Sequence, residues 1–181
     1  MPYDTSKDLA GVTLSAVSSI LIGGSPTLEA NNIAEVIALA KKYPGKLTYG
    51  TPGSGSFMHL AMELLKSMAG VDIVAVQYKG TPEGMTDLIA GRMDVMFIGT
   101  PVALPLLQSG RLRVLALTGA KRWKGMPDIP TMQEAGFKDY DLINWFGLWL
   151  PAGASPAMIA RLHAESVKAL AMPEVVKQFD V

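Results

Sequence analysis

The sequence predicts an α/β fold, a mostly parallel sheet flanked by helices, and three features carry that expectation. Short apolar runs of strand length alternate with amphipathic stretches of helical period. The runs open into the helical stretches through glycine-rich or Thr-Pro turns, and glycine or Pro-Gly closes them. Strands joined in series by helices need crossover connections, which lay the strands side by side in one direction and cover both faces of the sheet.

Taken in order, Ser19 to Ile22 is the first β-rich run, ending at Gly23-Gly24-Ser25-Pro26. Asn32 then stands as an N-cap with Glu35 three residues on, ahead of a helix whose apolar face is Ile33, Val36, Ile37 and Ala40. Pro44-Gly45 stops it, and a strand follows from Leu47 to Gly50. The segment Gly50-Thr51-Pro52-Gly53-Ser54-Gly55-Ser56-Phe57-Met58-His59 leads into a helix with an expected inward stripe of Leu60, Ala61, Leu64, Leu65 and Met68, closed by Gly70. A strand from Ile73 to Tyr78 ends at Lys79-Gly80, where Thr81-Pro82 reads as an N-cap followed by proline at the first helical position. The same device recurs after the strand Val95 to Ile98, with Thr100-Pro101 opening a helix that Ser109-Gly110 ends before the strand Leu112 to Leu117.

The tail differs in character. Past Leu117 the chain turns irregular through Lys121-Arg122-Trp123-Lys124 and Met126-Pro127-Asp128-Ile129-Pro130. Leu142 to Leu150 is apolar on both parities, the pattern of a strand buried on both faces, and Ser155-Pro156 opens a helix carrying Ile159, Leu162, Val167 and Leu170. Pro173 starts a short last helix. About 40 residues are too few for an independent core.

Composition narrows the function classes. The chain has 181 residues, 16 basic and 16 acidic, with no cysteine. Balanced charge with no basic run argues against a nucleic-acid surface, whose affinity comes from neutralising phosphates. Lack of cysteine excludes a disulfide framework, a thiolate nucleophile and a Cys-based zinc site. The two histidines, His59 and His163, form no metal-binding spacing, so neither a metal nor another cofactor is expected. The polar start lacks the basic and apolar stretches of a secretory signal, and Val12 to Gly23 is too short to span a bilayer.

The chemistry is concentrated in the loop at residues 50 to 59. Backbone N–H groups at a helix N-terminus have no partner within the helix, and the helix dipole adds roughly half a positive charge there, so a carboxylate or phosphate can be held without arginine. In an open α/β sheet the loops leaving the strands' carboxyl ends gather on one edge. Three helix starts then converge, at Gly53 to Ser56, at Gly80-Thr81 and at Gly99-Thr100. Dipoles contribute about 0.3 to 1 kcal/mol each, while micromolar affinity needs about 8 kcal/mol, so directed hydrogen bonds must supply the rest. The expected binding set is Thr51, Gly53, Ser54, Gly55, Ser56, His59, Tyr78, Lys79, Gly80, Thr81, Gly99 and Thr100, with no catalytic residue. A P-loop lysine is missing, Met58 stands where a dinucleotide loop has its last glycine, and no G-x-S-x-G elbow occurs. A binding module for a small carboxylate is thus set against an α/β enzyme or regulatory domain that holds a phosphorylated small molecule.

The residues also resemble a known family along essentially the whole chain. Pro2-Tyr3-Asp4, Pro44-Gly45-Lys46-Leu47, Gly53-Ser54-Gly55-Ser56, Tyr78-Lys79-Gly80, Thr118-Gly119-Ala120-Lys121-Arg122, Pro127-Asp128-Ile129-Pro130-Thr131, Trp145-Phe146-Gly147 and Pro151-Ala152-Gly153 carry the likeness, in order. The chain resembles the periplasmic solute-binding proteins of tripartite tricarboxylate transporters, the Bug family. That resemblance implies a type II periplasmic-binding fold that takes a small organic carboxylate (mono-, di- or tricarboxylate) in an inter-lobe cleft and delivers it to membrane permease subunits, without catalysis. It implies that Gly53 to Ser56 bind the carboxylate, that His59 braces their loop, and that Tyr78 to Thr81 line the same lobe. Ile98-Gly99-Thr100 departs from the acidic or amide residue the family often has after its phenylalanine, and Met172 replaces a capping aspartate. By this comparison residues 12–141 form the second lobe, 142–181 a remnant of the first and 1–11 a crossing segment, truncated at both ends. The family is periplasmic, whereas the chain as written has no signal and is expected to stay in the cytoplasm. Half a cleft predicts weak or absent carboxylate binding, and an apolar strand around Trp145 and Phe146 without sheet partners predicts self-association.

Overall fold

Backbone hydrogen bonding along one long strand organises the molecule. The computed structural model describes residues 3–179. A single turn, α1 (Thr5–Asp8), is capped by the Asp4 carboxylate and runs into β1 (Leu9–Gly24). There follow α2 (Ile33–Lys42), β2 (Thr48–Thr51), α3 (Phe57–Ala69), β3 (Val74–Gln77), α4 (Thr81–Ile89), β4 (Val95–Gly99), α5 (Thr100–Gln108) and β5 (Arg113–Leu117). The chain closes with β6 (Ile143–Pro151), α6 (Pro156–Leu170) and α7 (Pro173–Phe179). Two units separate, a central one of residues 19–143 and a terminal one of 3–18 with 144–179. The expected boundary between residues 11 and 12 falls inside β1, which runs on to Gly24 despite its interrupting serines and threonines.

In the central unit the strand order is β3-β2-β4-β1-β5. β2 is parallel to β3 and to β4, in register Tyr49 with Ala75 and Tyr49 with Val95. β1 is antiparallel to both of its neighbours, with Ile22 opposite Phe97 and Leu21 opposite Leu117. Four strands therefore share one direction and β1 opposes them.

Side chains alternate across the sheet, and each face has its own core. On one face Ile20, Ile22, Val95, Phe97 and Leu115 pack under α2 and α3, through Ile33, Val36, Ala61, Met62 and Leu65. On the other, Leu21, Met96, Ile98 and, past the irregularity in the β1–β5 register that skips Leu115, Leu117 pack under α4 and α5, through Met85, Leu88 and Ala103. Tyr140 is fully buried in the first core and donates to Ala61 O at 2.9 Å. Burial holds its phenol above the ordinary tyrosine range.

The helix ends follow the sequence signals in part. Asn32 Oδ1 accepts from Glu35 N at 3.0 Å while the Glu35 carboxylate accepts from Asn31 N at 2.7 Å, a reciprocal cap. Gly70 closes α3 in the left-handed conformation at φ 62°. Two expectations are corrected. Thr81 and Thr100 are not N-caps but the first helical residues; Gly80 and Gly99 hold the cap positions, without a side-chain bond. Pro82 and Pro101 fit one position further in because the first-turn N–H groups have no intrahelical acceptor to lose. The stripe on α3 also divides: Ala61 and Leu65 are buried, but Leu60, Leu64 and Met68 are exposed.

Where β5 ends, Thr118 joins three segments of the central unit. Its N–H donates to Ile20 O at 2.8 Å, its carbonyl accepts from Leu142 N at 3.1 Å, and its hydroxyl lies 2.6 Å from Leu142 O.

In the terminal unit β6 pairs with β1. Gly11 faces the Trp149 indole, whose nearest atom would lie at an ordinary contact distance of 3.5 Å from an added Cβ. Trp145 and Trp149 tilt toward one another at 6.0 Å between centroids. Ser155 caps α6, accepting from Met158 N, and His163 Nδ1 lies 3.0 Å from Val12 O. The expected burial of β6 on both faces does not hold: Trp145 and Phe146, on opposite parities, are each 53% exposed. Val12 is the one buried hydrophobic residue among the described residues of this unit.

Candidate functional site

Parallel alignment of β3, β2 and β4 places their carboxyl ends along one edge, with β2 in the middle. The loop from Thr51 to Ser56 therefore sits between the turns at Gln77 to Thr81 and at Gly99-Thr100. These are the three helix starts expected from the sequence, and the structure brings their parent strands side by side.

The middle loop is the most elaborate. Thr51 is fully buried, and its hydroxyl lies 3.2 Å from Gly53 O and 3.0 Å from Ser56 Oγ. Ser56 is the N-cap of α3 and accepts from His59 N at 3.3 Å. When Thr51 donates to Gly53 O, the Ser56 hydroxyl donates to Thr51, so both of its hydrogen-bonding roles are used inside the loop. Gly53 and Gly55 have φ of 136° and 78°, values that side-chain-bearing residues rarely adopt. Neither would have anything within 4 Å of an added Cβ, so the loop needs glycine for conformation and not for space. His59 Nδ1 accepts from Gly55 N at 3.4 Å and braces the loop from the first turn of the helix. Ser54 is exposed at the loop's tip, and its Oγ accepts from Gln77 Nε2 at 3.0 Å. Among the described residues no acceptor takes the N–H of Phe57 or Met58, the first two helical positions.

The flanking turns are chemically different. Tyr78 N–H donates to Thr51 O, but its phenol donates to Asp87 at 3.0 Å. Burial, reinforced by the Asp87 carboxylate, holds that phenol above the ordinary range. Glu83 reaches back from the first turn of α4 to accept from Lys79 N at 3.1 Å, which places a carboxylate of the protein's own at that helix end. The Lys79 side chain is exposed, Gly80 is extended at the cap, and Thr81 is half-buried. Gly99 caps α5 while paired with Ile20, and Thr100 is buried. Each of these helices also carries a proline in its first turn, which has no N–H to offer. Of the three starts, only that of α3 has no proline in its first turn.

Gln77, Glu83 and Asp87 are the functional neighbours that sequence reading missed. Gln77 was legible only as the polar end of an otherwise apolar Val-Ala-Val-Gln strand. No group of three or more His, Asp or Glu side chains that could hold a metal ion occurs among the described residues.

Solved structures place this architecture among the periplasmic binding proteins. Rpa4515 of R. palustris, solved with adipate, superposes with a TM-score of 0.88 at 33% identity, covering 99% of this chain and 60% of that one. MatC (Rpa3494) of Rhodopseudomonas palustris, with bound malate, gives 0.86 at 26% identity over 96% of this chain and 59% of that one. In sequence, a UPF0065 protein of Pseudomonas sp. (strain P51) is 32% identical over 178 residues, 98% of this chain and 53% of the relative. Residues 1–180 match the tripartite tricarboxylate transporter family receptor, TctC, and the chain belongs to that family. It is a family of solute-binding receptors, not of enzymes, and the chain spans about half the length of the curated relatives it matches.

Proposed function

We propose that this chain is the solute-holding part of a tripartite tricarboxylate transporter receptor, and that the loop from Thr51 to His59 takes one carboxylate of a small organic acid. The observation that carries this reading is the α3 start: two N–H groups without acceptors, a glycine loop held open by His59, and an exposed Ser54, all at the edge where three parallel strands end. Adipate and malate in similar proteins supply the ligand class. Thr51 and Ser56 shape the loop, Gly53, Ser54 and Gly55 meet the anion, and the backbone at Gly80-Thr81 and Gly99-Thr100 lines the same edge. Tyr78 serves through Asp87 to fix α4. Lys79 supplies a positive charge that Glu83 partly offsets.

In this reading residues 19–143 form the ligand-side lobe, the periplasm is the working compartment, and permease subunits of the transporter receive the solute. The exposed apolar ribbon of β6 is a surface for self-association. Binding by this loop alone is expected to be of the order of millimolar, about 4 kcal/mol. A thermal-shift series tests the assignment, because a ligand that binds only the folded chain raises stability by RT ln(1 + [L]/Kd). Adipate and malate at tens of millimolar are expected to raise the midpoint, and Gly55→Val, strained at φ 78°, to remove that ligand-induced shift while costing the unliganded chain about 1 to 3 kcal/mol. Stabilisation by phosphorylated compounds alone would overturn it.

A further inference from the structure

The two serines of the loop are wired oppositely, and the difference gives a role to a residue outside the loop. Ser56 is saturated internally by Thr51 and by His59 N–H. Ser54 instead receives a hydrogen bond from the side-chain amide of Gln77, Nε2 to Oγ at 3.0 Å. Gln77 is the last residue of β3, directly opposite Thr51 in the parallel β2–β3 register, so the backbone ladder delivers it to the loop.

A hydroxyl that accepts from an amide N–H still has its own proton to give. We propose that Gln77 is a positioning residue that fixes the polarity of Ser54: by donating to Oγ it commits the Ser54 proton outward, toward a hydrogen-bond acceptor that carries negative charge, such as a carboxylate. Donation from the amide also polarises the O–H bond, which strengthens the hydrogen bond that Ser54 gives. Gln77 itself makes no contact with the anion. The inference rests on the carboxylate reading of the loop, and it deepens that reading by selecting acceptor-only ligand groups at Ser54 over groups that need an acceptor from the protein.

The test substitutes the donor by groups of the same length. Glutamate at this position is acceptor-only when ionised, so Gln77→Glu reverses the polarity, draws the Ser54 proton inward and sets a like charge beside the ligand. Gln77→Met keeps the length and removes the bond without charge. Trifluoroacetate is the probe, since it remains ionised across the whole pH range used, and its fluorine resonance reports millimolar binding to the intact chain. Gln77→Glu is expected to weaken binding at least about tenfold at pH 7. As pH falls through the glutamate range near 4.3, the new carboxyl gains a proton, donates to Ser54 again and recovers most of the affinity relative to wild type. Gln77→Met is expected to weaken binding severalfold with no such pH-dependent recovery. His59, Lys79 and Glu83, the other charged or titratable side chains around the loop, are present in wild type and in Gln77→Met as well, so those two proteins are the controls against which position 77 is read. Wild-type affinity in Gln77→Glu at pH 7, or equal and pH-independent losses in both variants, overturns the proposal. Ser54→Ala separates the two layers: if it weakens binding and the Gln77 variants do not, only the polarity assignment fails; if it changes nothing, or if wild type does not bind, the carboxylate reading of the loop fails and takes the assignment with it. A readout without ligand completes the set, since the Gln77 side-chain amide protons are expected to exchange faster with solvent in Ser54→Ala, and unchanged exchange contradicts the hydrogen bond.

Discussion

The central and terminal units use the same local devices and reach opposite degrees of burial. Both have capped helices, with Ser56 and Ser155 each accepting from the N–H three residues on, and both have apolar strands. In the central unit β4 is buried along Val95 to Ile98 between two cores. In the terminal unit β6 is richer in aromatic residues yet exposed along most of its length, and α6 buries no residue over 15 positions. Local signals therefore specify elements, whereas stability comes from what covers them. A cap contributes about 1 kcal/mol, and full burial of a large apolar side chain about 1.5 to 3 kcal/mol. The proposed binding loop belongs to the unit that holds both buried cores.

The largest expected contrast is between truncations in the two units. Phe97→Ala, at a fully buried position between β1 and the helices, is expected to cost about 3 to 5 kcal/mol in chemical denaturation. Trp145→Ala removes more atoms but from an exposed site and is expected to cost under about 1 kcal/mol. Comparable losses would break the comparison. The same substitution, paired with Trp149→Ala, is expected to reduce any concentration-dependent increase in sedimentation coefficient.

High pH gives the next effect, and again it belongs to the central unit. Burial holds the phenols of Tyr49, Tyr78 and Tyr140 above their ordinary values, helped by Glu63 at Tyr49 and by Asp87 at Tyr78. A raised folded-state pKa contributes stability that is fully present below about pH 10 and is lost as pH rises toward the folded values. Each phenol can remove up to about 1.4 kcal/mol per pH unit in that window. Alkaline denaturation followed beside phenolate absorbance is expected to show these three tyrosines ionising with unfolding and not ahead of it. Ionisation of Tyr49, Tyr78 and Tyr140 ahead of unfolding would contradict the burial.

Thr118→Val tests the three-segment junction at intermediate size. It keeps the shape and the backbone bonds but removes the hydroxyl from Ile20 O and Leu142 O, with an expected loss of about 1 to 3 kcal/mol. At the small end, Glu165→Gln breaks an ion pair with Lys168 whose partners are mostly exposed, and a change below about 0.5 kcal/mol is expected.

Much of this was legible in the residues. Asn32 with Glu35, Ser56, Gly70 and Ser155 announce helix ends through their own hydrogen-bonding chemistry, and the loop at residues 50 to 59 announces its conformation through glycine. Direction was not legible, because a short, continuously apolar strand such as Ile20 to Ile22 looks the same whether its neighbours run with it or against it. Nor was coverage. Periodicity says that Leu60, Leu64 and Met68 share a face of α3, and that Trp145 and Phe146 lie on opposite faces of β6, but only tertiary structure says whether anything packs there. Gln77 stayed hidden for a related reason: its role depends on a register with Thr51 that joins residues 26 positions apart.

Residue-resolved amide chemical shifts during titration with adipate test the central claim most directly, because both units report in one experiment. The shifts are expected to concentrate at Gly53 to Met58, with a smaller response at the Gln77 side-chain amide and near Gly80 and Gly99. Shifts centred on the open cavity of about 280 Å³ lined by Val12, Leu14, Trp145 and Trp149, with the Gly53 to Met58 amides unmoved, would contradict it.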